Sequence, residues 1–279
     1  MWKAFRRDPL AIASLLVLGI IIAGVIFAPW LTPYADQGLG APNITEKFLA
    51  PSSSHWLGTD YLGRDVLARV LYGGRSSLSI GFLVVFFAAL VGVPLGAVAG
   101  YVGGRIDHLL MRITDVFLAF PPLLLAIALA AALGGSFFNT MIAISFTWWP
   151  WYARIVRAQT LSLRSRDFIE AARSIGVPHR RIITSHILPN VFTPVLVQAT
   201  LDMGSAILMA AAISFIGLGV QAPTADWGQM VSIGRIYFIG RPWYAGSAGV
   251  AIFLVVLAFN LLGDTARDVL DPRTRRVVS

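Results

Sequence analysis

The sequence predicts an all-α, polytopic membrane protein with six transmembrane helices, and three observations carry that expectation. Only 13% of its residues are charged and 57% are hydrophobic, whereas a soluble globular chain carries about 25% charged residues. The charges fall in clusters separated by apolar runs, and a hydrocarbon layer takes about 20 apolar residues as helix. The basic residues are also unevenly shared between alternate loops.

The first charge-free run extends from Leu10 to Ala35. It exceeds the roughly 7–15 apolar residues of a signal peptide, so it is expected to stay as a first span, Leu10 to Trp30. A second span is expected from Ser76 to Gly104. In it Gly92, Gly96 and Gly100 recur every fourth residue on one helix face, where a neighbouring helix can approach closely. Pro94 is a candidate kink. Between Asp115 and Arg154 no charge occurs. That run suits two spans, Val116 to Leu133 and Phe138 to Ala153, broken at Gly134-Gly135-Ser136. Trp148, Trp149, Trp151 and Tyr152 gather before Arg154 as an interfacial aromatic belt would. The fifth span is Val191 to Ile213, interrupted by Asp202, and the sixth is Trp243 to Leu262. After Asp65, the spacing of Val66, Leu67, Val70 and Leu71 predicts a short amphipathic helix lying along the surface before the second span.

Six spans put both termini on one side. Counting the loops on that side, 16 of the 22 Lys and Arg residues lie with the termini, including Lys3, Arg6, Arg7, Arg105, Arg112 and the group from Arg154 to Arg181. The richer side is expected to be cytoplasmic. The loops around residues 31–75 and 214–242 are then outside. The net charge of +8 is accounted for by these loops, so no nucleic-acid partner is expected.

The segment from Arg154 to Pro189 holds a helix with start and stop signals. Asp167 and Glu170 stand at capping-box spacing, with Asp167 expected as the cap. Phe168, Ala171, Ala172 and Ile175 follow at i, i+3, i+4, i+7, one helix face. Gly176 occupies the C′ position and Pro178 follows. A second helix is expected from Pro178 through Ile182, Ile183 and Ile187, ended by Pro189. A helix of about two turns is too short to be stable alone in water. Its apolar face needs a partner, which could be a lipid surface, the rest of this chain, or another protein.

Glu170-Ala171-Ala172, with Gly176 and Leu188-Pro189 at fixed spacing, resembles the EAA loop of ABC importer permeases. His186 departs from the general pattern in the way common to the dipeptide, oligopeptide and nickel branch. Three other stretches resemble the C-type permease of that branch. They are Leu57-Gly58-Thr59-Asp60 with Gly63-Arg64-Asp65, Ser214 to Gln221 with Trp227-Gly228, and Asn260 to Asp264 with Arg267-Asp268 and Asp271-Pro272. The resemblance covers nearly the whole chain. It implies the type I importer permease fold, with an N-terminal region at 1–73, a transmembrane domain at 74–264 and a cytoplasmic tail at 265–279. It implies that Asp167, Phe168, Glu170, Ala171, Ala172, Ile175 and Gly176 form a coupling helix docked on a cytoplasmic ATPase. The implied partners are a second, homologous permease, two ATPases, an extracytoplasmic binding protein and membrane lipid. The implied location is the plasma (bacterial inner) membrane with both termini inside. The implied cargo is a di- or oligopeptide, with nickel or another small solute as the alternative.

No catalytic residue is expected. A Walker A loop needs Gly-Lys-Ser/Thr, and the only lysines, Lys3 and Lys47, do not follow glycine. ATP and magnesium are expected on the partners and no cofactor on this chain. Gly217, Gly219 and Ala222 fit G-x-G-x-x-A but follow a span rather than a strand, so a tight loop is the better reading. Asp60 and Asp65 lack the calcium-loop pattern and are expected to cap turns and pair with Arg64 or Arg69. No HExxH occurs among the four histidines, and there is no cysteine, so no metal site is expected. Asp202 is the one acid inside a span. Such residues normally face the bundle interior, which makes it a candidate for the translocation path or for a buried helix interface. An ion-coupled carrier would also use such an acid, but Asp202 has no second acid in another span.

Overall fold

A computed structural model describes residues 8–270 of the chain. Lys3, Arg6, Arg7, Asp271, Pro272, Arg273, Arg275 and Arg276 lie outside the described residues. Apart from one isolated bridge between Thr59 and Asp65, the regular structure described is helical. In chain order the helices are α1 (Pro9–Ile26), α2 (Ala28–Leu31), α3 (Ala35–Leu39), α4 (Val66–Val102), α5 (Gly104–Leu118), α6 (Pro122–Leu133), α7 (Phe137–Arg164), α8 (Asp167–Ser174), α9 (His179–Phe215), α10 (Trp227–Gly234) and α11 (Pro242–Leu270).

Four of these are long and apolar enough to cross a membrane: α1, α4, α9 and α11. The expected third span does not run straight from Val116 to Leu133. Its first residues end α5, and α6 leaves at an angle of 83°. The cause is Pro121-Pro122. A residue before proline is pushed out of the helical region, and Pro121 itself is extended, with ψ 124°. At 12 residues, α6 spans about 18 Å at 1.5 Å per residue, too short to cross alone, and with α5 it forms a broken span or a re-entrant loop. The fourth expected span is longer than Phe138–Ala153. It continues as α7 through Arg164, 28 residues in all, and its Trp148–Tyr152 stretch leaves it less apolar than the other long helices. That stretch is not one interfacial belt. Trp151 is exposed while Trp149 and Tyr152 are buried.

The expected surface helix after Asp65 is the start of α4 itself. Asp65 caps that helix by accepting from the Ala68 backbone N–H at 2.7 Å. Val66, Ala68, Arg69 and Tyr72 are buried, so these turns are enclosed rather than laid on a surface. With 37 residues, α4 is about 55 Å long at 1.5 Å per residue, and it passes Pro94 without interruption. The fifth span is also longer than Val191–Ile213. Pro189 does not end the second helix, because residues Ile183–Ile187 form a π turn that joins His179–Ile182 to Leu188–Phe215. The wider turn lets Leu188 N–H donate to Ile183 O and absorbs a proline that has no N–H of its own.

The glycine face of α4 is filled from within the chain, by α7. A Cβ at Gly92 would fall on the carbonyl of Trp149 and 2.6 Å from Tyr152 Cβ. One at Gly96 would fall on the carbonyl of Ala153, and one at Gly100 would lie 2.8 Å from the carbonyl of Arg157. The neighbouring helix that this face admits is therefore α7 of the same chain. Around the contact, Ile80, Val84, Ala88, Ile144, Ala153, Ala206 and Ile213 form the central core.

At one end of the bundle the two long loops pack into a single cap. Arg69, fully enclosed, donates through Nη1 to the carbonyls of Gly38 at 3.2 Å and Pro223 at 2.8 Å. Ser77 donates to Asp226 at 2.8 Å, and Trp227 Nε1 donates to Val70 O at 2.8 Å. Complete burial pushes the Asp226 carboxyl above the usual carboxylate range, against the hydrogen bonds from Ser77 and Gln229. Asp60 pairs with Arg64 at 2.7 Å as expected. Asp65 pairs with His55 at 2.9 Å and not with Arg69, whose guanidinium is turned toward the two carbonyls. At the opposite end, Thr265 donates to Asp8 at 2.7 Å. The start of α1 and the end of α11 thus share one side, with α8 on that side too.

These contacts separate two glycines of opposite effect. Gly96→Ala should destabilise the chain by about 1–3 kcal/mol, the cost of overpacking a close contact. Gly246, in α11, has nothing within 4 Å of its Cβ position, so Gly246→Ala should be neutral or stabilise by up to about 1 kcal/mol through helix propensity. Thermal unfolding of the two detergent-solubilised variants checks both; equal shifts in melting temperature would contradict the packing described.

Candidate functional site

The segment between α7 and α9 folds as a capped helix held from behind. Arg166 is the N-cap and makes no side-chain cap bond, while Asp167 is the first helical residue. Asp167 therefore does not cap the helix. It and Glu170 act instead as negative charges in the first turn, where they favour the positive end of the helix dipole. The other end closes as a Schellman motif. Gly176 N–H donates to Arg173 O and Val177 N–H to Ala172 O, both at 3.0 Å. Gly176 has φ +78°, the left-handed conformation that glycine adopts without a Cβ penalty.

The apolar residues of α8 divide between two faces. Ile169 and Ala172 are buried in a cluster with Ala97, Tyr101, Val156, Ile182, Ile187 and Val191. Phe168 is 44% and Ile175 80% exposed, and Ala171 is also exposed. The expected single face of Phe168, Ala171, Ala172 and Ile175 is corrected accordingly. Ala172 turns inward, because Ile169, not Phe168, faces α4 and α7. Of the outward set, Phe168 meets the His186 ring at 6.4 Å between ring centres, Ala171 and Ile175 stand exposed, and Glu170 stands exposed beside them.

Behind α8 the chain supplies polar struts that the sequence reading did not identify. Arg173 Nε donates to the Tyr101 hydroxyl at 3.4 Å, and that hydroxyl lies 2.8 Å from His179 Nδ1. Arg157 grips Asp107 with two bonds, Nε to Oδ1 at 2.5 Å and Nη2 to Oδ2 at 2.7 Å, and Arg154 reaches Asp115 at 2.6 Å. These pairs fasten α5 to α7. With the Tyr101 contacts included, the partners stand 39 to 78 positions apart, and local spacing carries no sign of them.

The remaining candidate residues lie in the body of the bundle. Asp202 is buried on α9, accepts from Gln198 Nε2 at 2.9 Å and has Tyr152 and Trp148 of α7 as neighbours. Its Oδ2 and the Tyr152 hydroxyl each lack a hydrogen-bond partner. Tyr152 also abuts Gly92, so the structure brings Asp202 and the first glycine of α4 to the same helix junction. It does not bring them to α8.

Comparison with known proteins places this architecture. Residues 92–276 match the family described as binding-protein-dependent transport system inner membrane component. Residues 1–51 match the N-terminal TM domain of oligopeptide transport permease C. The chain is 46% identical over 274 residues to the dipeptide transport system permease protein DppC of Alkalihalophilus pseudofirmus, covering 98% of this chain and 89% of the relative. It is 44% identical over 268 residues to the probable D,D-dipeptide transport system permease protein DdpC of Escherichia coli K12, covering 96% and 89%. Against the glutathione transport system permease protein GsiD of Escherichia coli O157:H7 it is 44% identical over 275 residues, covering 98% and 90%. Among solved structures, an inward-facing MetNI methionine ABC transporter superposes with a TM-score of 0.59 at 19% identity, over 73% of this chain and 97% of that one. That likeness is one of fold. The chain is a member of the binding-protein-dependent transport system inner membrane component family, a transport permease subunit with the type I importer permease fold.

Proposed function

We propose that this permease carries di- or oligopeptides inward across the plasma membrane, driven by separate ATPases that dock on α8. One observation carries the docking reading. A helix fixed from behind by Ile169 and Ala172 turns Phe168, Ala171 and Ile175 outward, and among the described residues Phe168 has a ring contact with His186 while Ala171 and Ile175 stand exposed. Ala171 allows close approach, Glu170 rims the patch, and Gly176 turns the chain away immediately after it. In this reading ATP and magnesium bind the partners, and this chain holds no cofactor. Its mechanical role is to convert displacement of α8 into rearrangement of the helices that α8 packs against.

The partner set is a second homologous permease, two ATPases and an extracytoplasmic binding protein. The side with α8, the start of α1 and the end of α11 faces the cytoplasm in this reading, supported by the excess of basic residues in the sequence on that side. The cap formed by the two long loops then faces outward and receives the binding protein. The peptide reading is supported by the relatives, which are named for dipeptides and glutathione. Asp202 serves in this reading as a buried junction between α7 and α9, since its carboxylate is enclosed by Gln198, Tyr152 and Trp148.

The two alanines of α8 should respond differently to the same substitution. Ala171→Glu adds a charge to the outward face and should leave the chain folded and inserted. Burying that charge unpaired against a partner costs several kcal/mol, so co-purification of the ATPase and uptake should both be lost. Ala172→Glu puts the charge inside this chain's own cluster and should lower the melting temperature of the permease itself. A Cβ at Gly176 would meet no atom within 4 Å, so Gly176→Val should act chiefly through backbone strain, at least about 1 kcal/mol, and it should weaken ATPase binding. ATPase retention and normal uptake by Ala171→Glu would end the docking reading.

The orientation has its own test. The chain has no cysteine, so Ser53→Cys in the exposed part of the cap gives a single label site. A membrane-impermeant maleimide should label it from outside intact cells. Labelling only after the cytoplasmic face is opened would invert the topology.

A further inference from the structure

The turn at Gly176 joins the docking helix to α9, closed by its two Schellman hydrogen bonds and by Val177 against the cluster beneath α8. One side chain bridges both sides of it. Tyr101 is 4% exposed and sits one residue before the end of α4. Arg173, on α8, donates through Nε to its hydroxyl oxygen at 3.4 Å and lays its guanidinium 4.8 Å from the ring centre. His179, in the first turn of α9, places Nδ1 2.8 Å from the same hydroxyl. With Arg173 as donor to the oxygen, the hydroxyl proton goes to Nδ1, and the proton of a neutral His179 then sits on Nε2.

Apolar packing of Ile169, Ala172 and Ala97 keeps α8 close to α4 but is non-directional. The two polar contacts of Tyr101 are directional and fix α8 and α9 relative to the end of α4. From Tyr101, α4 runs unbroken to Asp65, whose carboxylate caps the helix and pairs with His55 in the cap. Glu46 lies 3.3 Å from the other nitrogen of His55. We propose that Tyr101 is a positioning residue that transmits displacement of α8 into α4, and through α4 into the cap at residues 44–65. The inference rests on the docking reading above and adds the residue through which the motion leaves the docking helix.

The test is hydrogen exchange on the complete transporter in lipid nanodiscs, comparing the nucleotide-free state with ATP plus vanadate. In the wild type, ATP should change exchange at residues 167–187 and at residues 44–65. Tyr101→Phe keeps the ring under Arg173 and removes both hydrogen bonds. Its ATP-dependent change at residues 44–65 should fall at least about fivefold, and roughly thirtyfold if each of the two lost hydrogen bonds has ordinary strength, while the change at 167–187 persists. A merely structural role would alter exchange at both segments without nucleotide. An undiminished response at 44–65 overturns the proposal, as does a wild type that never responds there. Joint loss at both segments would assign the hydroxyl to docking and also overturns it. A wild type with no response at 167–187 would instead sink the docking reading itself.

Discussion

The backbone contact between α4 and α7 is the constraint on which the other placements depend. Within lipid, helices gain little from hydrophobic attraction to one another, so association rests on close van der Waals packing and interhelical hydrogen bonds. Gly92, Gly96 and Gly100 let α4 rest on the carbonyls and Cβ atoms of Trp149, Ala153, Arg157 and Thr160. That fixes both the spacing and the rotation of α7. Its rotation in turn decides what each residue of α7 meets. Tyr152 faces Asp202, Val156 enters the cluster beneath α8, and Arg154 and Arg157 reach the acids of α5. A side chain at any of the three glycines would disturb all of these contacts together.

The two ends of α4 are held by different chemistry. At the cap, buried polar groups are tied to one another and to backbone carbonyls: Asp65 with His55, Arg69 with Gly38 and Pro223, Asp226 with Ser77. Buried polar groups are costly unless paired, so this end has few alternative arrangements. At the α8 end, small apolar contacts, the Tyr101 clamp and the Arg157–Asp107 and Arg154–Asp115 pairs hold the elements.

What the sequence made legible was local. Asp65 and Gly176 are cap residues whose side chain or missing side chain acts within four positions. The i, i+4, i+8 glycines define a face without any knowledge of what covers it. The signals that misled were those read one at a time. The run from Val116 to Leu133 is free of charge, but Pro121-Pro122 outweighs hydropathy in setting direction. Pro189 looked like a stop, yet a π turn accommodates it. Phe168 and Ile169 are neighbours of similar polarity, and helical spacing alone cannot say which turns inward; contact with Ala97 and Val156 decides it. The Tyr101–His179 and Arg157–Asp107 pairs had no local signal at all. They form only after α4, α5 and α7 have been brought together.

The division of α8 into two faces also suits so short a helix to the docking role proposed for it. Eight residues are below the roughly 12–15 at which an isolated helix becomes marginally stable in water, and a partner would otherwise have to order them on binding. Here Ile169 and Ala172, the Schellman turn and Arg173 order the helix before any partner arrives. Phe168, Ala171 and Ile175 then offer a surface already in its final shape, and less of the interaction energy is lost to conformational entropy. The same anchoring is what makes the contact mechanically useful. An exposed face on a loosely attached helix could bind equally tightly and move nothing, whereas a face rigidly joined to Ile169, Ala172 and Arg173 cannot be displaced without acting on α4.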